Sequence, residues 1–310
     1  MVTRGALMLK PTMQVGDWVV VRALAEGGMG SVFLARNRMS ERVKVALKVV
    51  KPSDMDGAEG RFVREAEALY TLRDPAIVRV MGFGFDDTLG ALWLAMELVD
   101  GINFVDLMQQ GPLDPDRAAR MFGRIASGLA HAHEVGIQHR DIKPANLMVR
   151  IKDDQPVIVD FGISLEEGRT KLTAVGLVPG TMAYMPPEVF DGEPDAVAGD
   201  IYALGLVLYE ALTGETSFPE DSRLSGNARM ARLMAAKLSE KTFDLGGGFP
   251  AHLRELVMRA TSADPAARLG SMVEFAAGCK APPRSEQPIA PANASLQATP
   301  VSSTPAPAEL

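Results

Sequence analysis

The chain has 310 residues, 47% of them apolar, enough for one large domain or two small ones with a buried core, which excludes a wholly disordered protein. Its formal net charge of −7 argues against a nucleic-acid surface, and its one cysteine, Cys279, excludes a disulfide scaffold and any cysteine-based zinc cluster. No apolar run approaches the roughly 18 residues of a membrane span, and the apolar patch near the N-terminus is too brief for a secretory core. The expectation is a soluble, cytoplasmic chain with neither a membrane span nor a nucleic-acid partner.

From Asp17 to Val99 the pattern gives β-like runs at 18–24, 31–35, 44–50, 79–85 and 92–98, interrupted by one helix-like segment over 60–73. Beyond Val99 the patterning is largely helical. Asp114, Pro115 and Gly136 stand where the N-cap, first residue and C-terminal stop of a long helix belong. The run 201–212 is apolar nearly all round, which predicts a helix buried inside its lobe. From Ala281 to Leu310 the composition turns to Ala, Pro, Ser and Thr without an aromatic residue. That predicts a disordered tail, with a proline-rich ligand for a partner domain as the alternative. A sheet-rich half followed by a helical half is an α+β architecture of two lobes with a cleft between them.

Three elements of the first half bear on chemistry. Glycines 27, 28 and 30 lie between two strand-like runs, where backbone N–H groups can approach phosphate oxygens or simply close an ordinary hairpin. Lys48 sits inside an apolar strand run, a position that also suits a solvent-facing lysine. On the following helix Phe62, Glu65, Leu69 and Leu72 share one face, while Glu67 points away to solvent. A carboxylate on an inward face needs a cation, and Lys48 is the candidate partner of Glu65.

The most specific pattern is His139-Arg140-Asp141-Ile142-Lys143-Pro144-Ala145-Asn146, followed after a strand-like stretch by Asp160-Phe161-Gly162. Here the sequence resembles the eukaryotic-type protein kinases, in particular the Ser/Thr branch found widely in bacteria, from about Asp17 to Cys279. The resemblance implies a bilobal fold: residues 17–97 as a small β-rich lobe and 98–279 as hinge and larger helical lobe. The extension 1–16 and the tail 280–310 flank them. It implies ATP and Mg²⁺ as cofactors and Ser/Thr hydroxyls of proteins as acceptors. Leu24, Ala25, Glu26, Gly27, Gly28, Met29, Gly30, Ser31 and Val32 would cover the phosphates. Ala46 would line the nucleotide site, Met96 would be its gatekeeper, and backbone groups of Glu97 and Val99 would bind adenine. Lys48, paired with Glu65, would hold the α and β phosphates. Asp141 would accept the hydroxyl proton, Lys143 would neutralise the γ-phosphate, and Asn146 and Asp160 would ligate the metal.

The same resemblance makes 160–188 an activation segment. Arg140 before the catalytic aspartate goes with loop phosphorylation, with Thr173 the preferred site and Thr170 second; an ordinary threonine-rich loop is the alternative. Thr181 would help to position the acceptor hydroxyl. Glu188 and Arg268 match the family's tethering ion pair, and Asp200 matches the anchor of the catalytic loop, although a helix N-cap role also fits it. Self-association for autophosphorylation and a soluble adaptor are further expected partners. Ala25 departs from the family's first loop glycine and Pro186 from its usual alanine, and neither removes a reactive group. His131 and His133, two apart on a predicted helix, do not converge as metal ligands, and His139 fits the structural histidine of the catalytic loop.

Kinases that select basic residues ahead of the acceptor often carry carboxylates after the hinge and just before the metal-binding Asn, where this chain has Asn103 and Ala145. A peptide-array screen is therefore expected to show no dominant arginine requirement upstream of the acceptor. A strong arginine preference at the third upstream position would refute this.

Overall fold

Period-two alternation in the first hundred residues builds an antiparallel sheet from β1 (Gln14–Val15), β2 (Trp18–Gly27), β3 (Gly30–Asn37), β4 (Ser40–Val50), β5 (Val80–Asp86) and β6 (Ala91–Glu97). The strand order is β1-β2-β3-β4-β6-β5. The computed structural model describes residues 9–27, 30–50, 58–161, 182–190, 195–219, 223–239 and 243–280. Gly28, Met29, Gly162, Thr170, Thr173, Thr181 and the expected tail lie outside the described residues.

On β4, Val45, Leu47 and Val49 enter one small core with Trp18, Val20, Phe33 and Ala35. Alternation turns Ala46, Lys48 and Val50 to the opposite side, where Ala46 and Val50 pack on the main core. Helix α1 (Ala58–Thr71) covers that side with Phe62, Ala66 and Leu69, while Glu67 is exposed as expected. Both tryptophans of the chain lie in this lobe. Trp18 opens β2, and Trp93 on β6 lays its indole so close to Gly84 that an added Cβ there would come within 2.8 Å of the ring.

Past Glu97 the chain forms β7 (Gly101–Asn103), α2 (Phe104–Met108) and α3 (Pro115–Glu134). Asp114 caps α3 by accepting the Arg117 N–H at 2.9 Å. Gly136, just beyond the helix, has φ +80°, a left-handed conformation that glycine adopts without strain. The hairpin β8 (Leu147–Arg150) and β9 (Gln155–Ile158) pairs with β7 in a second small sheet. Bonds from Val78 N–H to the Ile158 carbonyl (2.9 Å) and from Ile158 N–H to the Ala76 carbonyl (2.7 Å) tie this hairpin to the approach of β5. The helical lobe is completed by α4 (Ala196–Thr213), α5 (Gly226–Leu238), α6 (Ala251–Ala260) and α7 (Met272–Gly278). The result is a sheet lobe joined to a helical lobe.

Helix α4 corrects one expectation from composition. It has 18 residues and a mean hydropathy of 1.3, so by length and composition it is apolar enough to cross a membrane. In the fold 72% of it is buried against the rest of the helical lobe, and its charged residues Asp200 and Glu210 are inside with hydrogen-bond partners. Apolarity all round here is the signature of a core helix.

Where α4 passes α6, a Cβ on Gly205 would lie 2.7 Å from the Ala260 Cβ and 3.0 Å from the Thr261 Cγ2. Gly205→Val is expected to lower the unfolding free energy by about 1–3 kcal/mol through overpacking. Thermal denaturation reads this directly, and an unchanged Tm would show that the two helices separate without penalty.

Candidate active site

Residues 138–146 form a loop whose shape is set by a buried carboxylate. Asp200 accepts the backbone N–H groups of His139 and Arg140, both at 2.8 Å, and stands 2.9 Å from His133 Nε2. It is not the N-cap of α4: Asp195 takes that role, accepting from Val197 and Ala198 N–H, and Asp200 lies inside the helix. Its grip holds Arg140 at φ +62°, a left-handed conformation unfavourable for a side chain of this size.

His139 is fully buried. Its Nδ1 accepts the Asp141 N–H at 3.3 Å, which leaves the proton on Nε2, 3.3 Å from the Val159 carbonyl. The ring also tilts against Phe161, with centroids 4.8 Å apart. Asp141, next in the chain, presents its carboxylate to Lys143 Nζ at 2.9 Å and to Asn146 Nδ2 at 3.2 Å. Asn146 Nδ2 also donates to the Asp141 carbonyl at 2.8 Å. With the amide nitrogen so engaged, Oδ1 of Asn146 is the atom left for a cation. The Asn146 carbonyl accepts the Val159 N–H at 2.9 Å, one residue before Asp160. An Asp carboxylate beside an Asn amide oxygen is a donor pair suited to a hard divalent ion.

Lys48 departs from expectation. Its ammonium is buried and is bonded to the Asp160 carboxylate, not to Glu65. The reason is the turn after β9: Asp160, at φ +58°, swings its side chain toward β4 and meets the cation that β4 turns into the cleft. Glu65 instead lines a neighbouring cavity of about 240 Å³ together with Arg64, Leu69, Gln138, Arg140 and Phe161.

Gly27 on β2 pairs with Gly30 on β3. A Cβ on Gly30, at φ +146°, would lie 2.7 Å from the Val49 carbonyl oxygen, so close passage of β4 demands glycine here independently of any phosphate. Ser31 and Val32 pair with Val49 and Lys48, and Leu24 and Ala25 are exposed. Ala46 is opposite Met96 across the β4–β6 ladder, and the Glu97 N–H donates to the Arg79 carbonyl at 2.8 Å. Val99 follows, half-buried, between β6 and β7.

The segment 182–190 is fastened to the helical lobe by buried polar contacts. Arg268, whose side chain is fully buried, donates to both Glu188 oxygens at 2.7 Å and to the carbonyls of Ala198, Ser262 and Ala263. Tyr184 Oη donates to Glu210 at 2.7 Å, and Glu210 also accepts from the Ser217 N–H at 2.8 Å and its hydroxyl. Lys237 donates to the Ala183 carbonyl at 2.6 Å. Sequence reading missed Glu210 and Lys237, since neither stands in a recognisable motif.

A family profile described as the protein kinase domain matches residues 18–277. The chain is similar to the serine/threonine-protein kinase PknJ of Mycobacterium bovis, 37% identical over 266 residues that make up 83% of this chain and 44% of that protein. It is similar to PknD of Mycobacterium tuberculosis at 36% identity over 270 residues, 85% of this chain and 39% of that one. PknE of Mycobacterium bovis is 40% identical over 212 residues, 67% of this chain and 37% of the relative. The chain thus aligns with less than half the length of these relatives.

Burial pushes the His139 imidazole below the ordinary histidine value; Asp200, Asp141, the Val159 carbonyl and Asp160 pull it back only in part. The unfolded chain, with a histidine value of about 6.5, therefore takes up this proton more readily than the folded one. The stability tied to neutral His139 is fully present above pH about 6.5 and is lost as the pH falls below it toward the folded value. Urea midpoints are expected to drop between pH 7 and 5.5, and His139→Gln should flatten that slope. Equal slopes in the two proteins would show that His139 titrates alike in both states.

Proposed function

Because the chain belongs to the protein kinase family, we propose that it transfers the γ-phosphoryl group of MgATP to serine and threonine hydroxyls of proteins. What supports this reading is a pair of bonded groups, Lys48 with Asp160 and Asp141 with Lys143 and Asn146, joined through the bond from the Val159 N–H to the Asn146 carbonyl. Phosphoryl transfer needs little covalent chemistry from the protein; it needs positioning and positive charge against the developing negative charge.

In this reading Asp141 receives the acceptor hydroxyl proton as the oxygen–phosphorus bond forms and the bond from the γ-phosphorus to the bridging oxygen of ADP breaks. Lys143, already bonded to Asp141, stands where it can meet the γ-phosphoryl oxygens. Lys48 exchanges its bond to Asp160 for phosphate oxygens, which frees that carboxylate for metal. Asn146 Oδ1 and Asp160 would hold Mg²⁺, which when bound neutralises phosphate charge. The 24–32 hairpin covers the phosphates, and Ala46, Met96, Glu97 and Val99 line the base. The lysine in HRDIKPAN favours Ser/Thr over Tyr as acceptor.

The chain is read as cytoplasmic, modifying its own activation segment in a self-associated state and receiving its signal through a soluble adaptor. Thr173, then Thr170, are the proposed sites, with Arg140 as partner of the new phosphate.

Wild-type protein and Asp141→Asn, incubated with MgATP, test the assignment by intact mass. Phosphate incorporation is expected in the wild type and a loss of about 10²–10⁴-fold in rate in the variant, with mapped phosphate on Thr173. Equal incorporation would remove Asp141 from its role, and none in either protein would favour a nucleotide-binding scaffold.

A further inference from the structure

Lys237, near the end of α5, is 2% exposed, yet it ends in an ammonium. That group donates to the Ala183 carbonyl at 2.6 Å and lies 4.1 Å from the Phe218 ring centroid and 5.0 Å from that of Tyr202. Burying a cation is expensive unless its surroundings are built for it, and a Met or Leu would fill the same space without that penalty. Two aromatic faces and one carbonyl are such surroundings. Burial, then Arg268, hold the ammonium well below the usual lysine range, while Glu188 and Glu210 oppose them.

The carbonyl it binds is telling. Ala183 precedes Tyr184, whose hydroxyl is fixed by Glu210, and the Met185 N–H closes a turn onto the Met182 carbonyl at 3.2 Å. The turn is therefore held at successive residues, by its backbone through Lys237 and by a side chain through Glu210. Glu188 and Arg268 hold its far end. The ammonium is a side-chain contact from the helical lobe to the backbone of the turn itself.

We propose that Lys237 is a positioning residue for the acceptor peptide: by holding the Ala183 carbonyl it sets the place of the turn against which residues beside the acceptor Ser or Thr are laid. This rests on the kinase reading above. The contacts of the ammonium are to Ala183, Tyr202 and Phe218, none of them among the residues assigned to nucleotide or metal, so its effect falls on recognition of the peptide and not of ATP.

The test uses the full chain as wild type, Lys237→Met and Lys237→Gln, with a single-threonine peptide chosen from an array on which the wild type is active. Lys237→Met is expected to raise the peptide KM about tenfold, the size of a lost hydrogen bond to a charged group, with the ATP KM unchanged within about twofold on the same scale. Lys237→Gln, which keeps an N–H donor, should recover most of the loss. An unchanged peptide KM in Lys237→Met, or equal changes for peptide and ATP, would overturn the proposal. Failure of both variants to fold, read by circular dichroism, would also overturn it by making Lys237 a core residue only. Should the wild type phosphorylate no peptide, the kinase reading fails separately. Hydrogen exchange then decides for Lys237: faster exchange confined to 182–190 in Lys237→Met supports its hold on the turn, and identical exchange ends the proposal.

Discussion

Asp200 is 2% exposed and sits within a helix, and its oxygens gather the N–H groups of His139 and Arg140 with the ring of His133. A hydrogen bond to a charged group contributes about 1.5–3 kcal/mol, whereas a left-handed residue other than glycine costs about 1–3 kcal/mol. Paired bonds to one carboxylate therefore outweigh the strain at Arg140. The backbone turn they enforce places Asp141, and from Asp141 the bonds to Lys143 and Asn146 follow. Asp141, Lys143 and Asn146 thus follow in turn from that one carboxylate.

The same helix organises a second region. Ten residues along α4 separate Asp200 from Glu210, which is about 15 Å of axial rise and a different face. One carboxylate faces the loop that carries Asp141, and the other faces the turn at Tyr184. Tyr202, between them, receives both Lys237 and Arg268 over its ring. A rigid core helix thus serves as a common ruler for the loop at Asp141 and the turn at Tyr184. Buried charges along it are tolerable because each has a partner.

Much of this was legible in the residues. The 139–146 motif is a contiguous stretch, so it can be recognised without knowing the fold, and the strand setting of Lys48 follows from period two. What was illegible depends on how distant elements pack. Glu65 was the partner read for Lys48, and only the turn after β9, which brings the Asp160 carboxylate to the ammonium, decides otherwise. Asp195 and Asp200 both stand near the start of α4, and capping geometry assigns the first to the helix end and the second to the loop. Lys237 gave no signal, because a lysine in the last turn of a helix ordinarily reaches water and complements the helix dipole. Its burial arises from Phe218 and Tyr202, which come from elsewhere in the lobe.

The placement of the indoles has an optical consequence. Trp18 and Trp93 are the chain's two tryptophans, and both belong to the sheet lobe, one buried in its small core and the other laid against glycine. Fluorescence excited at the red edge of protein absorption therefore reports on that lobe, while the helical lobe stays dark. Tyrosine emission, at shorter wavelength, comes from both lobes, from Tyr70 on α1 as well as from Tyr184, Tyr202 and Tyr209. Loosening of the sheet lobe thus becomes visible in a single cuvette, without a label, through its indoles alone.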